Sequence, residues 1–161
     1  MKLLKYCLSM LLLAIVSVFR LGAEREEAIN SADLHPLPNG HETVVLEAAV
    51  ATRYLLLTKG TASQSAIICT AATIPLGPTP DEGAITDKVS VALLGAVMGT
   101  VSMIASKAIA ENTNVYATAA GKVTDAVVSN AYYVGRTAPG STAAADGDII
   151  SVIPRFPTIN A

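Results

Sequence analysis

The stretch NVYATAAGKVTDAVVSNAYYVGRTAPGSTAAADGDIISVIP, residues 114–154, decides the fold. Short apolar runs occupy residues 115–117, 131–134 and 149–153, and clusters of Gly, Pro, Asp and Ser separate them. Strands of about five residues between such clusters are typical of small antiparallel β-proteins. The stretch therefore predicts strands and turns, with a late strand over residues 149–153, and nothing in it resembles a catalytic centre.

The same pattern extends toward the N-terminus. Runs rich in Leu, Ile, Val and Thr predict strands at residues 43–46, 54–58 and 65–70, and Lys59-Gly60 marks a turn. Residues 74–80 read IPLGPTP and predict a rigid extended loop, because three prolines exclude a central strand. We therefore predict an all-β domain, a small antiparallel barrel or sandwich.

Two further predicted strands, residues 88–94 and 100–106, carry apolar or small residues on both faces. A sheet with one face in water would alternate apolar and polar residues more cleanly. Closure into a barrel, or burial against a neighbouring sheet or subunit, explains the lack of alternation best.

The composition limits the classes of function. The chain has 161 residues, of which 52% are hydrophobic and only 15% are charged, against about 25% charged in a typical protein. This balance favours a surface partly covered by other subunits, although the hydrophobic N-terminal segment raises the apolar fraction. A net charge of −2 without a Lys/Arg cluster argues against direct nucleic-acid binding.

The N-terminal segment, residues 1–23, combines a basic start, an apolar run over residues 7–19 and small residues near Ala23. This is the plan of a secretory signal peptide, and an N-terminal helix in a protein that is never exported is the alternative. We divide the rest of the chain into a polar tether or arm (24–42), a β-barrel-like domain (43–157) and a tail (158–161).

Cysteine and histidine are too sparse to form a site. Cys7 and Cys69 support neither a disulfide framework nor a metal site, and Cys69 is predicted to be a small core hydrophobe. His35 and His41 lie in or beside a Pro-rich loop without a cysteine partner, so both are predicted to face solvent rather than a metal.

Several short motifs are rejected as functional sites. Gly121-Lys122 lacks the preceding Gly and the following Ser or Thr of a phosphate-binding loop. The pair Asp81-Glu82 need not converge on one substrate, and the sequence 146–148, Asp-Gly-Asp, is predicted to be a tight turn rather than a calcium loop. We predict no catalytic, cofactor-binding or metal-binding residue, and no enzyme activity.

Tyr132, Tyr133 and Arg136 belong to the residue types that are common in protein interfaces. A role in the core or on the sheet surface is an equally good interpretation of each. None of the three is therefore assigned to a functional site from the sequence.

A series of short patterns, taken in order over residues 45–154, resembles the capsid cement, or head-decoration, proteins of tailed bacteriophages and prophages. Each pattern alone is a short strand-and-turn signal, and the order and spacing carry the resemblance. The patterns are TRYLLL (52–57) before Lys59-Gly60, IPLG (74–77), DKVSVALLG (87–95), ASKAI (105–109), Val115-Tyr116, GKV (121–123), YVGRT (133–137) and ADGDIISV (145–152).

The resemblance implies a compact β-barrel-like protein, commonly a trimer, that binds the outside of an assembled capsid shell and stabilises it. It implies the major capsid protein as partner, no cofactor and no small-molecule substrate. It places the protein in the virion, assembled in the host cytoplasm. Residues 24–50 are then the natural candidate for an arm that reaches the shell or a neighbouring subunit. The alternative is an exported surface or periplasmic β-domain acting as a binding module, which is the location that a true signal peptide would give.

Overall fold

The structure is a computed structural model that describes residues 40–127 and 129–160. The segment 1–23 and nearly all of the tether 24–42 lie outside these residues, as do Cys7 and His35. The described chain forms two five-stranded sheets. The strands are β1 (His41–Leu46), β2 (Leu56–Lys59), β3 (Ser65–Ile68), β4 (Pro75–Pro78), β5 (Lys88–Ala92), β6 (Val101–Ile104), β7 (Asn114–Ala117), β8 (Val123–Thr124), β9 (Tyr132–Thr137) and β10 (Ile149–Ile159).

The first sheet has the order β4-β2-β3-β1-β5. All of its neighbours are antiparallel except β1 and β3, which run parallel with Val45 opposite Ser65. The sheet curls until its two edge strands approach each other. Just beyond β5, the amide of Leu94 donates to the carbonyl of Leu76 in β4 at 2.8 Å.

The second sheet has the order β6-β10-β9-β7-β8 and is antiparallel throughout. It curls in the same way, because Ala105, next to β6, forms an isolated bridge with Val123 of β8. The amide of Ser106 donates to the Val123 carbonyl at 2.8 Å. A single 3₁₀ turn, Ala119–Gly121, connects β7 to β8.

The predicted all-β fold is confirmed, and so is the predicted strand at residues 149–153. β10 lies between β6 and β9 and continues to Ile159, two residues into segment 158–161. The expected arm, residues 24–50, contributes the whole of β1 to the first sheet. The Pro-rich stretch 74–80 is not only a loop, because it contains β4; β4 is an edge strand, as its prolines require.

The core consists of two apolar clusters, and three strands, β2, β5 and β6, contribute to both of them. In β2, Leu56 packs in one cluster and Leu57 in the other; in β6, Met103 and Ile104 divide in the same way. All four side chains are at most 3% exposed. Burial by a second sheet therefore explains the apolar residues on both faces of segment 100–106.

The close approach of β4 to β5 depends on glycine at position 77. A methyl carbon at Gly77 would lie 1.8 Å from the carbonyl oxygen of Ala92. Ala92 is itself paired with His41 across the β5–β1 ladder, so its carbonyl cannot withdraw without disturbing that pairing. Position 77 thus requires a residue without a side chain, independently of its backbone angles.

We predict that Gly77→Ala lowers the free energy of unfolding by at least about 3 kcal/mol, at the upper end of overpacking costs. The matched control is Gly140→Ala. Position 140 has open space around it but a φ of +75°, so only backbone strain of about 1–2 kcal/mol is expected there. Urea denaturation of both variants gives the comparison, and equal losses would contradict the steric explanation.

The hairpin between β2 and β3 is held by the carboxylate of Glu47. It accepts hydrogen bonds from the amides of Thr61 at 3.0 Å and Ala62 at 2.7 Å, and from the hydroxyls of Thr61 and Ser65. Donors around the charged form favour ionisation. The Ala62 amide contributes most, with Ser65 and the Thr61 amide next, and together they lower the pKa of Glu47 from 4.5 to about 2.

A lowered pKa in the folded state predicts a defined loss of stability in acid. The stabilisation by Glu47 is complete above pH 4.5 and is lost as the pH falls toward 2. Glu47→Gln should therefore be less stable than the parent at pH 7, and the difference should shrink between pH 4.5 and pH 2. Thermal unfolding across this pH range tests it, and a difference that stays constant down to pH 2 would refute the assignment.

Candidate interaction surface

The structure places Cys69 in the core, as the sequence predicts. Its side chain is fully buried, and its sulfur lies 3.4 Å from the hydroxyl of Thr73. Burial raises the pKa of the Cys69 thiol, which keeps it in the unreactive protonated form. Cys69 is therefore a packing residue rather than a nucleophile.

His41 is half-buried rather than simply solvent-facing. Its Nδ1 lies 3.1 Å from the hydroxyl of Ser90 on the neighbouring strand β5. The carboxylates of Asp81 and Glu82 separate, because Asp81 accepts from the Ser90 amide at 3.0 Å and Glu82 pairs with Arg53 at 3.8 Å. Among the described residues, no group of three or more His, Cys, Asp or Glu side chains could hold a metal ion.

The remaining polar motifs stabilise turns through hydrogen bonds and ion pairs. Asp146 pairs with Lys122 at 2.6 Å, and Asp148 accepts hydrogen bonds from the amides of Ala144 and Ala145. Residues 146–147 form a turn that leads into β10, which confirms the predicted tight turn. Lys122 therefore has a structural anion partner and no phosphate-loop geometry.

Tyr132, Tyr133 and Arg136 lie on β9 but do not form one site. Tyr132 packs against the core, while Tyr133 makes an edge-to-face contact with Tyr116 across the β7–β9 ladder, with ring centroids 5.8 Å apart. Arg136 is exposed beside these strands. The two tyrosines stabilise the second sheet, and only Arg136 is freely available to a partner.

The most exposed large apolar side chain of the described residues lies in the turn that follows β5. Met98 is 89% exposed, and Val97 beside it is half-buried. The turn is fixed to the start of β1, because the amide of Leu93 donates to the Gly40 carbonyl at 2.8 Å. The amide of Val97 then donates to the Leu93 carbonyl at 3.0 Å, so Met98 projects from an ordered turn.

Phe156 lies against the same turn. It is 75% exposed, and its ring carbon would come within 3.0 Å of a methyl group at Gly95. Val97, Met98 and Phe156 form what we call the apolar patch. Contiguous apolar patches mark interaction sites, which makes this turn the candidate surface, and methionine adapts its shape to partners.

A cleft of about 430 Å³ borders the apolar patch between the two sheets. Val97 and Met98 lie on its rim, and none of its lining residues is Asp, Glu, Lys or Arg. The lining consists of His41, Tyr54, Pro78, Pro80, Ala92, Val97, Met98, Thr100, Val101 and Ser102.

The sequence analysis missed this surface. The one available signal was the position of Phe156 between Pro154 and Pro157, where an aromatic residue stands apart from any apolar run. Met98 carried no signal, because a methionine between Gly95 and Gly99 is compatible with a buried bulge as well as with an exposed turn.

No protein-family model matches the chain, and no curated protein matches it. Among solved structures, the chain is similar to the head fiber gp8.5 N base of bacteriophage phi29, with a TM-score of 0.57 and 15% sequence identity. The similarity covers 75% of this chain and 98% of the phage domain.

The chain therefore has the fold of a phage structural protein. The neighbour is the base of a head fiber, and the cement family that the sequence resembles is a finer assignment than this likeness shows. At 15% identity the likeness establishes the fold, and the role of this chain is a separate question. Within the described residues, no helix has the length and apolarity needed to cross a membrane.

We predict that replacing Met98 and Phe156 together by serine reduces the fluorescence of a hydrophobic dye bound to the protein. The free energy of unfolding should change by less than about 0.5 kcal/mol for each substitution, because both side chains are largely exposed. Ile74→Ser with Ile85→Ser is the control, since these side chains are 61% and 59% exposed outside the patch. Equal dye binding by the two double variants would show that the patch is not a distinct surface.

Proposed function

We propose that the protein is a structural component of a phage head, which binds the outer surface of the capsid shell and stabilises it. The observation that carries the proposal is the fold shared with the phi29 head-fiber base over 98% of that domain. The order of strand-and-turn patterns over residues 45–154 independently supports a decoration protein of this kind. Both observations support a place on the head of the virion.

The proposed mechanism is mechanical. Each bound copy adds contact area between neighbouring shell subunits, and binding to the assembled shell alone shifts the equilibrium toward assembly. Many modest contacts act together when the copies bridge several subunits. The apolar patch and the uncharged cleft suit this role, because few charges lose water on binding.

Enzymatic activity is not part of the proposal. Catalysis by side chains needs a nucleophile or base with partners in reach, usually in a pocket that perturbs its pKa. Among the described residues, Cys69 is the buried nucleophile-type side chain whose pKa is shifted. Its pKa is raised, which keeps the thiol protonated and unreactive. Glu47 is the other group with a shifted pKa, and its carboxylate oxygens accept hydrogen bonds from the β2–β3 hairpin.

Segment 1–23 favours a second candidate function, that of an exported binding domain. Its basic start and apolar run favour export, and an exported surface or periplasmic β-domain would use the same patch to bind a partner outside the cytoplasm. Mass spectrometry of the protein purified from its host separates the two. Cleavage near Ala23 supports export, whereas an intact or later-starting chain in purified particles supports the virion.

We predict that the full chain co-sediments with capsid shells assembled from the major capsid protein of the same genome, at a fixed ratio of copies. Decorated shells should also resist heat or chaotrope better than bare shells. The control is the Met98→Ser, Phe156→Ser variant, which keeps the fold and is expected to bind more weakly. A chain that stays in the supernatant at saturating shell concentration would refute the proposed function.

A further inference from the structure

The cleft between the two sheets has the size of a small-molecule site. Its volume is about 430 Å³, within the range of roughly 300–1,000 Å³ that is typical of such sites. Tyr54, Pro78 and Pro80 line it from the side of the first sheet, and Thr100 and Ser102 line it from the side of β6. Both sheets therefore contribute a wall, so the fold itself sets the shape of the cleft.

The wall at Tyr54 is held in place by main-chain hydrogen bonds. The Tyr54 amide donates to the Thr79 carbonyl at 2.6 Å, and the Thr79 amide donates to the Leu55 carbonyl at 3.1 Å. Tyr54 has a φ of +64°, a left-handed conformation that bulky residues seldom adopt. Strained residues of this kind persist where the surrounding structure fixes them, and they cluster at binding sites. The fold therefore fixes an aromatic residue in the wall of the cleft.

Four neutral polar side chains line the same cleft and retain hydrogen-bonding capacity. Within residues 40–127 and 129–160, no group bonds to the side-chain hydroxyls of Tyr54, Thr100 or Ser102. The Nδ1 atom of His41 lies 3.1 Å from the Ser90 hydroxyl, and no described residue bonds to its Nε2 atom. Each hydroxyl both donates and accepts. The cleft therefore offers hydrogen bonds that the described fold does not use.

The lining restricts the chemistry of a ligand. None of the lining residues is Asp, Glu, Lys or Arg, so a charged ligand would lose its water without gaining a counter-charge. A wholly apolar ligand would cover the four polar side chains and leave them without partners, which is also unfavourable. The lining therefore selects a neutral ligand that has both an apolar face and several groups that donate and accept. A pyranose ring has this combination, with C–H groups on its faces and hydroxyls around its rim.

We propose that the cleft binds a neutral hexopyranose unit of a glycan. In this arrangement a C–H face of the sugar ring packs against Tyr54 and the neighbouring prolines. The ring hydroxyls exchange hydrogen bonds with Thr100, Ser102 and the free nitrogen of His41. Met98, on the rim, covers the bound ring from the solvent side. The inference goes beyond the proposed function and does not rest on it, because binding a capsid shell requires no saccharide.

Calorimetric titration of the full chain with methyl glycosides tests the cleft directly. The neutral probes are the methyl glycosides of glucose, galactose and N-acetylglucosamine, and the charged comparison is the methyl glycoside of glucuronic acid. We expect at least one neutral probe to bind one-to-one with a Kd of about 1–10 mM, and the glucuronide to bind at least about tenfold more weakly. No binding by any neutral probe at about 100 mM would overturn the proposal, and so would equal binding of the charged probe.

Two variants test the lining. Ser102→Ala removes one hydroxyl and should weaken binding of the best neutral probe about fivefold, the effect of losing one hydrogen bond. Tyr54→Leu removes both the ring and its hydroxyl and should weaken binding at least about tenfold. The controls are Ser151→Ala, opposite Ser102 on β10, and Tyr116→Leu on β7, since neither residue lines the cleft. Full binding by both test variants would overturn the proposal.

Amide chemical shifts of the unmodified chain locate the sugar without any variant. On addition of the neutral probe, the amides of Tyr54 and residues 97–102 should shift, whereas those of the β2–β3 hairpin, residues 60–65, should not. Shifts confined to residues outside the cleft would overturn the proposal. None of these measurements uses a capsid shell, so their failure leaves the proposed function standing, and a failure to bind shells leaves this inference standing.

Discussion

The structure depends on strands that are buried on both faces. β2 and β6 each place adjacent side chains in different apolar clusters, Leu56 and Leu57 in the one strand and Met103 and Ile104 in the other. A strand can do this only where a second layer covers the face that would otherwise meet water. The two curled sheets therefore stabilise each other, and neither cluster could be complete in an isolated sheet.

Curling brings strand edges close together, and the residues at these contacts are correspondingly constrained. Gly77 allows β4 to approach the carbonyl of Ala92, and Ala105 meets Val123 where β6 reaches β8. The amide of Ser90 on β5 is occupied by the Asp81 carboxylate. Edges are thereby protected from unwanted pairing.

Several charged side chains also stabilise turns of the fold. Glu47 holds the β2–β3 hairpin, Asp148 holds the turn before β10, and Lys122 pairs with Asp146. These charges support turns and are not gathered around a cavity. The exposed apolar side chains Met98 and Phe156 are not part of these charged contacts, and the proposed function uses them as the contact surface for that reason.

Much of the fold followed from local signals in the sequence. Turn-formers such as Asp146-Gly147 act within a few residues, so the strands between them could be predicted. The prolines of segment 74–80 excluded a central strand, but the segment was expected to be a loop, and its pairing as the edge strand β4 was not predicted. The burial of Cys69 followed from its apolar neighbours. The two-residue strand β8 carries too little pattern to be recognised, and the extension of β10 past Pro154 and Pro157 contradicts the local propensity of proline, which tertiary pairing with β9 overrides.

The candidate surface was decided by tertiary structure alone. Whether Met98 is buried or exposed depends on how its turn packs against Gly40, which lies more than fifty residues earlier in the chain. Whether β6 is an inner or an edge strand depends on strand order, to which side-chain periodicity is insensitive. The sequence by itself determined short strands, turns and a core of small aliphatic residues, because these depend on local geometry and apolar burial. Only the tertiary structure determined the second buried face and the parallel pairing of β1 with β3, because each arises from contacts between segments distant in the chain.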